Sequence, residues 1–302
     1  MQFSLWPSFD RSWDETLTLA RFAEQHGYHS FWFADHLMPN RPDGTPDPGD
    51  TLECWTVLSA IAALVPRVRL VSMVSPVTIH HPVLLAKRAT TVSHISGGRA
   101  VLGLGAGWQE NEHAAYGFEL PAPGPRVSRF AEAIEIVHRL LREESVSFAG
   151  QYYTLTDAPF APKPVGALPL LVGTGSPRML RLTARFADEW NTWGDPTTVG
   201  QRTEAFLAAC ESVGRDPESL RRSSQALVFL VNTPAEREAH APFAASGRAL
   251  IGSADELVQL LGAYADLGVH EFAIPDFTLG ATAAERADAL AALHDQVFSQ
   301  LM

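Results

Sequence analysis

Cysteine is scarce in this sequence. Among 302 residues only Cys54 and Cys210 carry thiols, and they stand far apart. A disulfide framework or a cysteine metal site is therefore not expected, and two buried thiols are. Basic charge is also short. Lys and Arg number 23 against 34 Asp and Glu, a net charge of −11. An acidic surface repels phosphate backbones, so no nucleic-acid partner is expected. A small anionic cofactor remains compatible, because a few local donors can hold a phosphate. No apolar run reaches the roughly 18 residues that a membrane helix needs, so no membrane association is expected. Residues Met1–Trp6 lack the basic-then-apolar pattern of a secretory signal, and the sparse thiols suit a reducing compartment. The expected location is cytoplasmic. Repeats, low-complexity tracts and long charge runs are absent. So are the motifs G-x-S-x-G, H-E-x-x-H and G-x-x-x-x-G-K. No metal site is expected.

What is present is an alternation. Short apolar runs at Phe3–Trp6, Ser30–Ala34, Val68–Val74 and Ala100–Leu104 read as strands. In the second half, Leu170–Val172, Glu189–Thr192, Ala226–Val231 and Glu271–Ile274 read likewise. Between them lie amphipathic segments with helical spacing: residues 12–26, 52–64, a stretch after Pro82, and one carrying Phe130, Ile134, Val137 and Leu141. Further helices are read over Pro177–Ala187 and Thr197–Val213, around Leu257–Leu267, and in a closing segment carrying Leu290 to Leu301. Residues 145–168 interrupt the pattern and read as a small hairpin and loop. Residues 232–250 read as irregular. About eight βα units in one chain without a composition break predict a single α/β domain over residues 1–302, a (β/α)₈ TIM barrel with loop insertions.

In such a barrel the active site lies at the C-terminal ends of the strands. Asp35 and His36 follow the second strand. A carboxylate beside an imidazole there can orient a cofactor and move a proton, or can merely cap a turn. His80 and His81 precede a helix and read as packing at its start. The run Gly103-Leu104-Gly105-Ala106-Gly107-Trp108 lets a backbone pass close to a flat ligand, or is a tight turn. It is not a dinucleotide fingerprint, since Trp108 stands at the last glycine position. Gly173-Thr174-Gly175-Ser176 leads into a helix with Pro177 and Arg178. Free N–H groups at a helix start favour phosphate, against an ordinary turn.

Together these segments resemble the luciferase-like monooxygenase and coenzyme F420-dependent oxidoreductase superfamily. The block from Arg67 to Gly117 carries the resemblance, with the FADH of the second strand, LLVGTGSPRML and IGSADELVQLL in support. The resemblance implies a luciferase-type barrel with a flavin or deazaflavin ring at its C-terminal mouth. It implies a strand bulge with a non-prolyl cis peptide at Ser72–Met73. Asp35, Ser75, Gly107, Trp108 and Asn111 match cofactor contacts. Gly173, Thr174, Gly175, Ser176, Arg178 and Met179 match the phosphate site. His36 matches a histidine beside the hydride-bearing carbon. One departure stands out: Trp108 occupies the place of a carboxylate in F420-dependent sugar dehydrogenases, and Glu110 and Glu112 are not the matching position.

The implied chemistry is hydride transfer with coenzyme F420 and a small organic substrate. The alternatives are an FMN-dependent monooxygenase served by a flavin reductase, or a barrel that binds cofactor without turnover. A homodimer is a further implication. The substrate pocket is expected from loops around 36–50, 108–125 and 232–250. Trp6, Trp55, Trp108, Phe118 and Trp193 are candidates for its apolar lining.

Overall fold

A computed structural model describes all 302 residues. Its first half contains β1 (Gln2–Trp6), α1 (Trp13–Gln25), β2 (Ser30–Phe33), α2 (Cys54–Leu64), β3 (Arg69–Ser72), β4 (Ser75–Pro76), α3 (Pro82–Ser96) and β5 (Ala100–Gly105). A short α4 (Glu110–Tyr116) and a long α5 (Pro123–Arg142) follow, then the hairpin β6 (Ser145–Ala149) and β7 (Thr154–Pro159). The alternation resumes with β8 (Leu170–Gly173), α6 (Pro177–Phe186), β9 (Glu189–Trp193), α7 (Pro196–Ser212), β10 (Arg221–Gln225) and β11 (Leu227–Leu230). The chain continues through α8 (Pro234–Ala244), β12 (Ala249–Gly252), α9 (Ala254–Asp266), β13 (Glu271–Pro275) and α10 (Ala283–Gln296).

The strands order as β3-β2-β1-β13-β10-β9-β8-β5-β4, all parallel, and β3 pairs with β5 to close the ring. β3 and β4 are one strand broken by a bulge, so the barrel has eight staves. Its main apolar core lies between the staves and the surrounding helices, and a smaller cluster including Trp32, Val71, Val101 and Leu171 fills the interior. No helix is long and apolar enough to cross a membrane.

Two assignments made from sequence need correcting. The seventh stave is Arg221–Gln225, not Ala226–Val231. Its sequence, RRSSQ, looks unlike a strand because Ser223, Ser224 and Gln225 are satisfied by the neighbouring stave β9. Asn191 Nδ2 donates to Ser223 Oγ (3.0 Å), and Asn191 and Gln225 exchange amide hydrogen bonds of 2.7 and 3.1 Å. The apolar run after it, β11, leaves the barrel and pairs with β12 in a separate two-stranded sheet. Residues 232–250 are likewise not irregular throughout. A capping box between Thr233 and Glu236 starts α8. This helix buries no residue of its own and lies over the barrel mouth.

The N-terminal end of the barrel is closed by ions. Glu271 is buried and accepts from Ser4 Oγ, from Trp32 Nε1 (3.1 Å) and from Arg221 Nε (3.1 Å). Arg69 bridges Glu271 and Glu189. Burial alone would raise the Glu271 carboxyl, but Arg69, His29, Arg221 and Ser4 outweigh it and hold it below the usual carboxylate range. Burial dominates at Glu189 and pushes that carboxyl up. A depressed folded value means that Glu271 stabilises the fold above its unfolded value of about 4.3. That contribution is lost as pH falls through the folded value. Glu271→Gln should be less stable than the parent at pH 7. The gap should narrow as pH falls from about 5 towards 3, measured by denaturant midpoints. A constant gap would refute the titration.

Candidate active site

At the C-terminal mouth the stave ends surround a cavity of about 800 Å³. Its wall takes Trp6 from β1, His36 from the turn after β2, Met73 and Val74 from the bulge, Thr192 and Trp193 from β9, and Gln225 from β10. α8 and the turn after it add Phe243, Ser246 and Arg248. A narrower cleft of about 300 Å³ adjoins it. His36, Val74, Trp108, Gly173 and Thr174 line both, so the two spaces meet there.

His36 stands at their junction. Its Nδ1 lies 3.0 Å from Glu112 Oε1, and the Leu37 N–H donates to Glu112 Oε2 at 2.8 Å. Glu112 is 1% exposed. A buried carboxylate beside Nδ1 fixes the ring tautomer, with the proton on Nδ1 and an open lone pair on Nε2. Phe9 and Trp108 hold the imidazole, with ring centres 5.5 and 5.4 Å away. Glu112 was not among the site residues expected from sequence. Its helix, α4, spans only Glu110–Tyr116 and shows no apolar stripe long enough to announce it.

Asp35 sits behind the wall and lines neither space. It is 2% exposed and accepts from Ser75 Oγ, which itself accepts from Trp55 Nε1 at 3.0 Å. His80 Nε2 lies 3.0 Å from Asp35 Oδ2, while Arg88 donates to His80 Nδ1 at 2.9 Å. A guanidinium only donates, so His80 carries its proton on Nε2, the nitrogen that lies beside Asp35 in an ion-pair contact without hydrogen-bond geometry. Burial alone would raise the Asp35 carboxyl. His80, Ser75 and His36 outweigh it and hold it below the ordinary range. A fixed anion thus underlies the turn that carries His36. His80 therefore does more than the packing at a helix start expected from sequence; only His81 caps α3, accepting from Val83 N at 3.3 Å.

The bulge also departs from expectation by one residue. The non-prolyl cis peptide is Met73–Val74, not Ser72–Met73. The Met73 N–H still donates to Phe33 O at 2.8 Å, so the chain keeps its pairing with β2 through Met73 and leaves the ladder only afterwards. Ser72 faces β5, accepting from Gly103 N (3.0 Å) and donating to Gly103 O (3.2 Å). A Cβ on Gly103 would lie 1.9 Å from Ser72 O, and one on Gly105 would lie 2.6 Å from Val74 Cγ2. The alternating glycines do admit a close backbone, but it is the bulge of the neighbouring stave. Gly107 has φ +90°, where a Cβ would meet Thr78 Oγ1 at 2.2 Å.

The Gly173–Ser176 turn borders both spaces, and Met179 lines the narrow cleft. Ser176 stands at the N-cap position of α6 and makes no side-chain capping bond, so the first N–H groups of α6 have no partner from it. Two cations stand near it. Arg126 lines the narrow cleft, and a Cβ on Gly175 would lie 3.7 Å from Arg202 Nε. Sequence reading named neither. Arg178 points elsewhere, donating to Gly124 O (3.2 Å) and Ser128 Oγ (2.9 Å). Asn111 is buried and ties the loop after β2, donating to Pro39 O (2.9 Å) and Thr45 O (3.3 Å). Of the candidate aromatics, Trp6, Trp108 and Trp193 line the cavity, while Trp55 and Phe118 do not.

The family profile described as luciferase-like monooxygenase matches residues 1–296. The chain belongs to the luciferase-like monooxygenase family. Among its relatives, the F420-dependent glucose-6-phosphate dehydrogenase of Nakamurella multipartita is 35% identical over 179 residues, which is 59% of this chain and 51% of that enzyme. The chain thus matches about half the length of that relative. An enzyme of the same description from Kineococcus radiotolerans is 34% identical over 71% of this chain and 63% of its own length. Among solved structures, an F420-dependent secondary alcohol dehydrogenase in complex with an F420-acetone adduct superposes with a TM-score of 0.82 at 19% identity, over 99% of this chain and 98% of that one. The EDTA monooxygenase of Chelativorans sp. BNC1 superposes at 0.80 and 17%, over 100% of this chain and 93% of that one. At such identities the superpositions speak to the luciferase-like barrel alone.

Proposed function

We propose that this chain is an F420-dependent oxidoreductase that moves a hydride between the deazaflavin and a small organic substrate at the barrel mouth. The observation that carries the reading is His36, whose Nδ1 is held by Glu112 and whose ring lines the cavity. Two curated relatives with this cofactor in their names support it.

The residues present suit the group. The apolar side chains of Met73 and Val74 give a flat ring a wall. The α6 start, with Arg126 and Arg202 nearby, suits an anionic tail. When bound, F420 supplies a two-electron hydride acceptor or donor at carbon. In the oxidising direction a carbinol loses a hydride from its C–H bond and a proton from its O–H bond. His36 Nε2 takes the proton, and Glu112 stabilises the imidazolium that results. In the reducing direction the same nitrogen returns it. Phe9 and Trp108 pack beside the imidazole. The buried Asp35 anion keeps the supporting turn in place through Ser75 and His80.

Titration with F420 and separately with FMN, followed by quenching of cofactor fluorescence, tests the reading. Saturable binding of F420, at least about tenfold tighter than FMN, is expected. Binding of FMN alone would replace the dehydrogenase with a monooxygenase. Binding of neither would leave a barrel without this chemistry.

A further inference from the structure

We infer that the substrate of this site is a neutral, ring-bearing ketone or secondary alcohol, alicyclic or aryl, and not a phosphorylated sugar. The inference rests on the F420-linked reading above and deepens it. Three aromatic rings from separate parts of the mouth pack into one panel. Trp6 meets Trp193 at 5.5 Å and Phe277 at 5.2 Å, both edge-on, and Trp193 lies 6.4 Å from Phe277 at 24°. All three line the larger cavity. Phe9 lines it too and abuts His36 at 5.5 Å, so the aromatic surface runs up to the proton-accepting nitrogen's ring. Such a surface gains from burying another apolar ring.

The cations point the same way. A phosphate dianion needs fixed positive groups in the space that receives it. The chain has two lysines, Lys87 and Lys163. Both lie on the outer layer beside Phe160, donate to the Ala161 and Leu140 carbonyls respectively, and line neither space. Arg202 lines the cavity, but its NH1 donates to Thr192 Oγ1 (3.1 Å) and Trp193 O, and it borders Gly175 at the cofactor end. Arg248 remains. It is exposed at the rim, with its guanidinium 4.7 Å over the Trp193 ring. There it extends the aromatic panel, and solvent screens its charge.

The test uses the whole chain and two readouts. Intrinsic tryptophan fluorescence, without F420, is followed on adding cyclohexanone or glucose 6-phosphate. Separately, F420 absorbance is followed with cyclohexanol, 2-propanol and glucose 6-phosphate. Cyclohexanone should give a saturable change and glucose 6-phosphate none, and cyclohexanol should exceed 2-propanol in kcat/KM by about tenfold or more. Phe277→Leu keeps apolar volume and removes the ring. It should weaken cyclohexanone binding by about fivefold with the far-UV spectrum unchanged. Saturable binding of glucose 6-phosphate, or its faster turnover, would overturn the inference. So would a chain that binds F420 but no cyclic ketone. A chain that binds cyclohexanone and not F420 would uphold the pocket assignment and sink only the cofactor reading.

Discussion

Replacing His36 with alanine should lower kcat/KM by about 10²–10⁴-fold while F420 binding changes little. The imidazole is held by its neighbours and itself holds no other part of the wall. Its Nδ1 is committed to Glu112, and Phe9 and Trp108 pack beside it. Loss of the ring therefore removes the proposed proton acceptor and leaves the bulge and the Gly173–Ser176 turn intact. The sharper comparison is Glu112→Gln. Glu112 Oε2 accepts from the Leu37 N–H, which can only donate. A glutamine will turn its oxygen towards Leu37 and its NH₂ towards His36 Nδ1. That forces Nδ1 to accept, moves the ring proton to Nε2, and presents the wrong tautomer to the substrate. kcat and kcat/KM should fall together by about 10–100-fold with F420 affinity retained. A purely structural glutamate would predict lost thermal stability with kcat intact in the surviving enzyme. Full turnover in His36→Ala would end the proposed role of the imidazole.

The barrel was legible because seven of its staves are short apolar or aromatic runs set between Gly, Pro and helical spacing. The seventh stave, β10, was not, because inside the barrel Ser223 and Gln225 meet Asn191 rather than solvent. A polar strand satisfied by its neighbour looks like a loop in one dimension, and the apolar run beside it drew the assignment. The site shows the same limit. His36 stood out by its place at a stave end. Its partner lies 76 residues away on a seven-residue helix, and nothing in the local spacing of Glu112 marks it apart from Glu110. His80 reaches Asp35 from the start of α3 for the same reason: the contact is made by closing the ring. The cis peptide was placed one residue early because its site depends on where pairing with β2 stops, a matter of register.

Gly103→Ala should cost about 3–5 kcal/mol of stability and lower Tm by roughly 5–15 °C. The new methyl would meet Ser72 O at 1.9 Å and Val74 Cγ1 at 3.0 Å. The first of these is backbone, clamped in place by the two hydrogen bonds between Ser72 Oγ and Gly103. Neither stave can yield without opening the barrel between β3 and β5. Gly262→Ala is the control. It lies within α9 with nothing within 4 Å of the added carbon, and should raise stability by about 0.5–1 kcal/mol. Gly105→Ala separates the fold from the site. Its methyl would meet only the Val74 side chain, at 2.6 Å. That side chain can rotate, but it rotates at the junction of the two spaces, which Val74 lines. Gly105→Ala should therefore lose less stability than Gly103→Ala and more F420 affinity relative to its stability loss. Equal losses in both variants would mean that the glycines serve the barrel alone, and that the wall they shape is not where the cofactor lies.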